Sequence, residues 1–476
     1  MPAVPTAEKL MVVGLDCVPP EIVFDDMRDE LPVLRALMER GAWGKLESCD
    51  PPITVPAWSC MMSSRDPGTL GFYGFRNRKD HSYDGLAFAT SDKVKVDRLW
   101  DVLSREGKHV VALGVPQTFP PRPVNGEMVS CFLTPSTDSK YTYPEELKDE
   151  VRQVVGDYMV DVPDYRTLDK DRVLRDINEM TRRRFALARH LRDTRPWDFL
   201  MLVEMGPDRL HHAFWRFYDH EHPDYEPGNP YEEGFREYYR YLDREVGDLI
   251  DGLDDTTALL VVSDHGAQAM HGGIQVNEWL MQEGYLSLVD RPATPTPFGK
   301  VQVDWPRTRV WADGGYYSRI FMNVKGREPE GTIDPADYEP LRDELIAKLE
   351  ALGDEDGNPI GTRVFRPTDL YREVNGVAPD LICYFGNLAW RSIGSVGDGR
   401  IQVRENDTGP DDANHAQDGL VIMSGPGIEP CAVEGMHLLD VAPTVLELLG
   451  YDVPETMRGT SMLSGATRGA VAAGAS

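Results

Sequence analysis

Three aspartates and three histidines stand beside the ends of apolar runs in this 476-residue chain: Asp16, Asp208, His212, Asp264, His265 and His415. Asp16 closes the run LMVVGL. The stretch ALLVVSDHG, 258–266, passes from apolar residues into Asp264 and His265, the pattern of a buried strand with polar groups at its carboxyl edge. Asp208 and His212 follow a third run, FLMLVE, and their four-residue spacing puts them on one face of a helical turn. His415 precedes a fourth run, GLVIMS. Such oxygen and nitrogen donors are what zinc and related divalent transition metals accept. Each has an ordinary alternative. Asp16 can be a turn residue, Asp208 and His212 a solvated face with His211 and His220, and His415 a surface histidine in an acidic loop. Their common placement argues for one site, because ligands of open α/β sheets bind at the carboxyl edge of the strands.

Thr54, in PPITVPAW, is the candidate nucleophile. Pro56 suits a first helical turn, which places Thr54 just ahead of a helix carrying an apolar Trp58, Met61 and Met62 face. A threonine hydroxyl attacks only where its developing negative charge is stabilised, as a divalent cation can do. A helix amino terminus adds N–H groups for an incoming phosphate. Two ions about 3.5–4 Å apart can serve both the attacking and the leaving oxygen of a phosphoryl transfer. The plain alternative is a capping threonine.

The elements that must position these residues alternate between strand and helix. Strands are expected at 10–15, 109–114, 199–204 and 258–266, with helices at 31–40, 96–106, 171–192 and 231–253. The last helix carries Phe235, Tyr238, Leu242, Val246, Leu249 and Leu253 on one stripe. Residues 115–145 hold six prolines and are expected to be irregular. From about 270 to 412 the rhythm changes: NEWLMQEGYL and 337–352 read as helices, RIFMNV and PDLICYF as strands, and 394–415 as an acidic, glycine-rich loop. GLVIMSGPGI and a helix at 437–449 return to the first pattern, and the tail 465–476 is expected to fray. The expectation is an α/β fold with a mostly parallel central sheet flanked by helices and an inserted smaller α+β subdomain. Its domains would be a core of 1–285 and 366–476 and a cap of 286–365.

With 41% hydrophobic and 27% charged residues, the composition is that of a soluble globule, and the net charge of −29 argues against binding duplex nucleic acid or anionic membranes. No stretch is long and apolar enough for a signal peptide or a membrane span. Six cysteines without CxxC spacing suggest neither a disulfide framework nor a zinc ribbon, so a reducing cytoplasm is expected.

Together, VVGLD, PPITVPAW, GPDRLHH, VVSDHG, NHAQDG and the ending DVAPTVLELLGYDVPETMRGTS resemble the alkaline phosphatase superfamily, closest to its type I phosphodiesterase/nucleotide pyrophosphatase branch. The resemblance implies that Asp208, His212 and His415 hold one metal ion, and that Asp16, Asp264 and His265 hold a second, with Thr54 bridging to it as the phosphorylated nucleophile. Two displacements would retain configuration at phosphorus. It also implies two divalent ions, with zinc expected and manganese or iron as alternatives, acting on a small phosphorylated substrate such as a nucleotide.

The chain departs from that branch beyond the nucleophile. Where the nucleotide pyrophosphatases place an asparagine that binds a phosphate oxygen, Phe75 stands in GFYGFRNR, so Asn77 or Arg76 is expected to do that work. His271 is a further candidate substrate contact, and the Trp, Tyr and Arg residues of 305–329 can line a site for a base or sugar. Neither Cys17-Val18-Pro19-Pro20-Glu21 nor Cys49-Asp50-Pro51-Pro52-Ile53 carries the arginine that a sulfatase nucleophile needs. Related phosphoglycerate mutases use serine where Thr54 stands. Phosphodiester or nucleotide pyrophosphate hydrolysis is therefore the expected reaction. The alternatives are a phosphomonoesterase, a mutase-like phosphotransferase, or a metal-binding regulatory protein without turnover.

Overall fold

The computed structural model describes residues 6–463, so the expected fraying of 465–476 lies outside the described residues. Its centre is the strand Lys9–Leu15, buried along nearly its whole length. It runs parallel to Phe199–Glu204 on one side and to Thr257–Val262 on the other. Registers Leu15↔Glu204 and Gly14↔Val262 bring the three carboxyl ends level, so Asp16, the start of the Gly206–Tyr218 helix and Ser263-Asp264-His265 share one edge.

The sheet continues beyond Phe199–Glu204 to Val110–Leu113 and Gly126–Val129, both parallel, and ends at the antiparallel Thr142–Tyr143. On the other side Asp418–Ser424 runs antiparallel to Thr257–Val262, and Ala42–Glu47 runs antiparallel to Asp418–Ser424 and so back in the direction of the central strands, flanked by the short strands Cys431–Ala432 and Met436–His437. The architecture is thus α/β with a mostly parallel central sheet. Helices Pro32–Glu39, Lys170–Thr194 and Glu232–Ile250 cover it, with Phe235, Tyr238, Leu242, Val246 and Leu249 buried in the main core.

Two segments expected to be irregular contribute strands. Gly126–Val129 and Thr142–Tyr143 complete the sheet edge within the proline-rich 115–145, where the ladder supplies an order that short local runs do not signal. Ala413–Ala416 lies in the acidic loop expected at 394–415 and pairs antiparallel with Gly266–Ala269, setting Ala267 opposite His415.

A second hydrophobic cluster supports a smaller antiparallel sheet of Val310–Asp313, Ser318–Met322, Leu381–Tyr384 and Arg363–Phe365, backed by the helix Tyr338–Glu350. The cluster also includes Ile274, Trp279, Leu381 and Phe385, so this layer draws on residues either side of 286–365. Among the described residues no helix is long and apolar enough to cross a membrane.

Candidate active site

Thr54 is the first residue of the helix Thr54–Ser63, entered from an extended Ile53. Its side chain does not cap that helix. The hydroxyl donates to Asp16 Oδ1 at 3.4 Å and lies 3.3 Å from His265 Nε2. One turn later Trp58 donates its Nε1–H to Asp16 Oδ2 at 2.6 Å. Trp58, expected only as part of an apolar face, therefore fixes the aspartate through its one polar atom.

The six expected ligands fall into two groups. Asp208, His212 and His415 form one, and Asp16, Asp264 and His265 the other, each with ligand atoms within 4.8 Å of one another. In the first, His212 Nε2 is 3.3 Å from Asp208 Oδ1 and 3.3 Å from His415 Nε2. In the second, His265 Nε2 lies 3.2 Å from Asp264 Oδ2 and 3.9 Å from Asp16 Oδ1. The His265 and His415 rings stack with centroids 4.0 Å apart, so the groups adjoin. All six residues are buried.

The other ring nitrogen of each histidine is committed elsewhere. His212 Nδ1 faces Asp411 Oδ1 at 2.8 Å, His415 Nδ1 faces the Pro52 carbonyl at 2.9 Å, and His265 Nδ1 faces the Gly266 carbonyl at 3.1 Å. With Nδ1–H donating in each case, the Nε2 lone pairs turn toward the carboxylates, as in the carboxylate–histidine–metal arrangement. Without a cation, a second proton on His212 Nε2 relieves the repulsion between these nitrogens 3.3 Å apart; a divalent ion between them would take that proton's place.

The charges make the same point. Burial, then the neighbouring Asp208 carboxylate, pushes Asp16 well above the usual carboxylate range. Burial and Asp16 do the same to Asp264, whose Oδ2 has no hydrogen-bond partner. Asp208 is also buried, yet His212 and Arg209 hold it well below that range. Burial opposes the charged form of His212, but Asp411 and Asp208 outweigh it and lift the imidazole to about 10. In His265 burial prevails and lowers it to about 4. Buried carboxylates with converging imidazole nitrogens suit divalent cations, which supply the charge that burial otherwise makes costly.

Three contributors were not evident in the sequence. Asp411 orients His212 and is itself held by Arg166 Nε and Arg391 Nη1, each at 2.8 Å. Arg209 pairs with Asp208 and reaches Asp161 at 2.7 and 2.8 Å. Tyr316, from the accessory segment, lies over the His212 and His415 rings with centroids at 4.9 and 4.3 Å. The 305–329 segment thus reaches the candidate metal groups by a packed aromatic ring.

The expected substrate contacts are dispersed. Asn77 spends its amide within its own loop, accepting from Tyr73 N at 2.7 Å and donating to the Gly74 carbonyl at 3.0 Å. Arg76, on the hairpin Arg76–Arg78/Leu86–Phe88, lies over Phe88 and lines a cavity of roughly 660 Å³ whose wall includes Trp311 and Arg391. Arg391 joins that wall to Asp411. His271 is exposed and borders a different cavity with Trp215 and Ala416.

The family model for type I phosphodiesterase / nucleotide pyrophosphatase matches residues 10–411. No curated protein sequence matches the chain. Human ectonucleotide pyrophosphatase / phosphodiesterase 5 superimposes with a TM-score of 0.53 at 14% identity, over 95% of this chain and 97% of that one. The murine protein gives 0.53 at 13% identity, over 93% and 95%. An inactive murine variant in complex with AMP gives 0.53 at 12% identity, over 94% and 96%. At these identities the likeness is one of fold.

Proposed function

The chain belongs to the type I phosphodiesterase / nucleotide pyrophosphatase family and is a hydrolase of that class; on that premise we propose that it cleaves phosphodiester or nucleotide pyrophosphate bonds through a phosphothreonine at Thr54. The family is metal-dependent. In this reading Asp208, His212 and His415 hold one divalent ion, zinc by preference, and Asp16, Asp264, His265 and Thr54 hold the other. Bound there, such ions supply Lewis-acid charge to the nucleophilic and leaving oxygens.

The convergence of three Nε2 atoms and three carboxylates beside a helix-terminal hydroxyl carries the proposal. Thr54 Oγ1 bonds to phosphorus as the bond to the leaving oxygen breaks, and water then displaces Thr54. The hydroxyl already directs its hydrogen toward Asp16, whose orientation Trp58 fixes. Leading N–H groups of a helix have no acceptor within it, so those of Thr54 and Val55 suit a phosphoryl oxygen. Arg76 and Trp311, on the cavity beside Arg391, receive the group beyond the scissile bond. The AMP held by the murine relative supports a small nucleotide substrate. A reducing cytosol is the proposed compartment, from the scattered spacing of the six cysteines in the sequence.

Metal analysis combined with turnover of bis-p-nitrophenyl phosphate and p-nitrophenyl phosphate tests the proposal. Diester preference with bound metal is expected. Monoester preference replaces it with a phosphomonoesterase, and full metal loading without turnover replaces it with a regulatory metal protein.

A further inference from the structure

Cys17 follows Asp16 directly, and nothing in the proposed mechanism uses its thiol. Its backbone is left-handed, with φ of 68°. A non-glycine residue pays about 1–2 kcal/mol for such a turn, whereas glycine takes it freely. The turn itself has a clear purpose: Cys17 N–H donates to Asp264 Oδ1 at 3.2 Å, and Val18 N–H to Ser263 Oγ at 2.8 Å. Glycine would make both bonds, so they do not account for the sulfur.

The sulfur is completely buried. The thiol donates to the Gly266 carbonyl at 3.4 Å and also faces the Asp208 carboxylate. Sγ and one ring nitrogen from each of His265 and His415 all lie within 4.8 Å of one another. His265 belongs to the group with Asp16 and Asp264, and His415 to the group with Asp208 and His212, so the sulfur stands where the two groups meet. The Asp264 carboxylate that accepts from the Cys17 amide leaves its other oxygen, Oδ2, buried without a hydrogen-bond partner. That oxygen belongs to the group with Asp16 and His265, which shares His265 with the cluster around the sulfur.

Burial alone would be weak evidence. Cys49, Cys60, Cys131 and Cys383 are buried too, in the manner of small apolar residues. Among the described residues, however, Cys17 is the one cysteine placed with histidine nitrogens in a ligand-sized cluster.

We propose that Cys17 Sγ is a further ligand of the metal centre, lying between its two histidine-bearing groups and biasing it toward thiophilic ions such as zinc over manganese or magnesium. The inference rests on the aspartates and histidines holding metal. Binding exchanges the S–H bond for a sulfur–metal bond, and the proton passes to solvent. Soft thiolate ligands favour zinc, whereas carboxylate and water suit magnesium and manganese.

Zinc-edge X-ray absorption on the full-length, zinc-loaded wild type, with metal content measured on the same sample, tests this without relying on a variant. A sulfur scatterer at about 2.3 Å is expected. Cys17→Ser should lose it, keep bound zinc, and show a zinc affinity reduced by about tenfold or more with little change for manganese. Cys17→Gly, which suits the left-handed turn, provides a second variant if the serine protein does not fold. Bound zinc with only nitrogen and oxygen neighbours overturns the role of Cys17 and leaves the aspartate and histidine ligands standing. A sulfur signal that persists in both variants overturns it as well. Failure of the wild type to retain zinc overturns the role of Cys17, and failure to retain any divalent ion overturns both readings together.

Discussion

Asp411 Oδ1 lies 2.8 Å from His212 Nδ1, and the Asp411 side chain is buried where Arg166 and Arg391 both hold its other oxygen. The carboxylate thereby fixes which nitrogen of His212 faces Asp208 and His415. A second contact, from Nδ1 to the Ala413 carbonyl at 3.1 Å, points the same way. Asp411→Asn keeps the shape but removes the charge. It should weaken metal binding by about 10–100-fold with an unchanged far-ultraviolet circular dichroism spectrum. Chelator competition measures this, and wild-type affinity in the variant would remove Asp411 from the positioning of His212.

Thr54 offers a sharper test, because its hydroxyl touches both Asp16 and His265 but does not cap its helix. Thr54→Ala should lower kcat by at least about 10³-fold while metal content and melting temperature stay near wild type. Thr54→Ser retains a hydroxyl and should recover measurable turnover. Rapid-quench capture of phosphate on the protein should succeed with wild type and fail with the alanine variant. Near-normal hydrolysis by Thr54→Ala would exclude it as nucleophile.

These residues were legible because each sits where a periodic pattern stops. Asp16, Asp264 and His265 end apolar runs that the structure makes neighbouring parallel strands, and Asp208 and His212 share a helix face. Asp411 was not legible: its segment is acidic and glycine-rich, and its role arises from a contact 199 residues away in sequence. The four-residue strand Ala413–Ala416 that carries His415 lacks any apolar alternation, so pairing with Gly266–Ala269 alone defines it. Tyr316 and Trp58 had the look of packing residues. They are packed, but one lies against two histidines and the other bonds an aspartate.

Removing metal should destabilise as well as inactivate, since Asp16 and Asp264 are buried without a cationic side chain paired to them and Asp264 Oδ2 has no hydrogen-bond partner. A ligand bound only by the folded state at 100 times its Kd contributes about 2.7 kcal/mol. Chelation should therefore lower the melting temperature, and added zinc should restore it with turnover. In Asp264→Asn both metal content and the chelator-induced shift should shrink. A full shift in that variant would take Asp264 off the ligand set.

Arg76 and Asn77 should separate. Asn77 bonds Tyr73 N and the Gly74 carbonyl, so Asn77→Ala should cost about 1 kcal/mol of stability with a small kinetic change. Arg76 lines the cavity with its charge over Phe88, and Arg76→Ala should raise KM about tenfold with unchanged melting temperature. A kcat defect in stable Asn77→Ala would instead place Asn77 at the substrate.

His211 precedes His212 yet faces the core, with Nε2 2.8 Å from the Tyr239 hydroxyl and its ring packed on Trp215, Phe235 and Tyr239. Burial lowers it to about 3, so the folded protein keeps it neutral over a range in which the unfolded chain, titrating near 6.5, takes up a proton. Its stabilising contribution is complete above pH 6.5 and drains away as pH falls toward 3, at no more than about 1.4 kcal/mol per unit. Between pH 7.5 and 5, metal-free wild type should lose about 2 kcal/mol more stability in urea than metal-free His211→Gln, which has no proton to take up at this position. Metal-free samples remove the competing loss of ligands at acid pH, and the difference between the two proteins cancels every other titrating group they share. Equal losses in the two proteins would show that His211 is not held neutral by its burial.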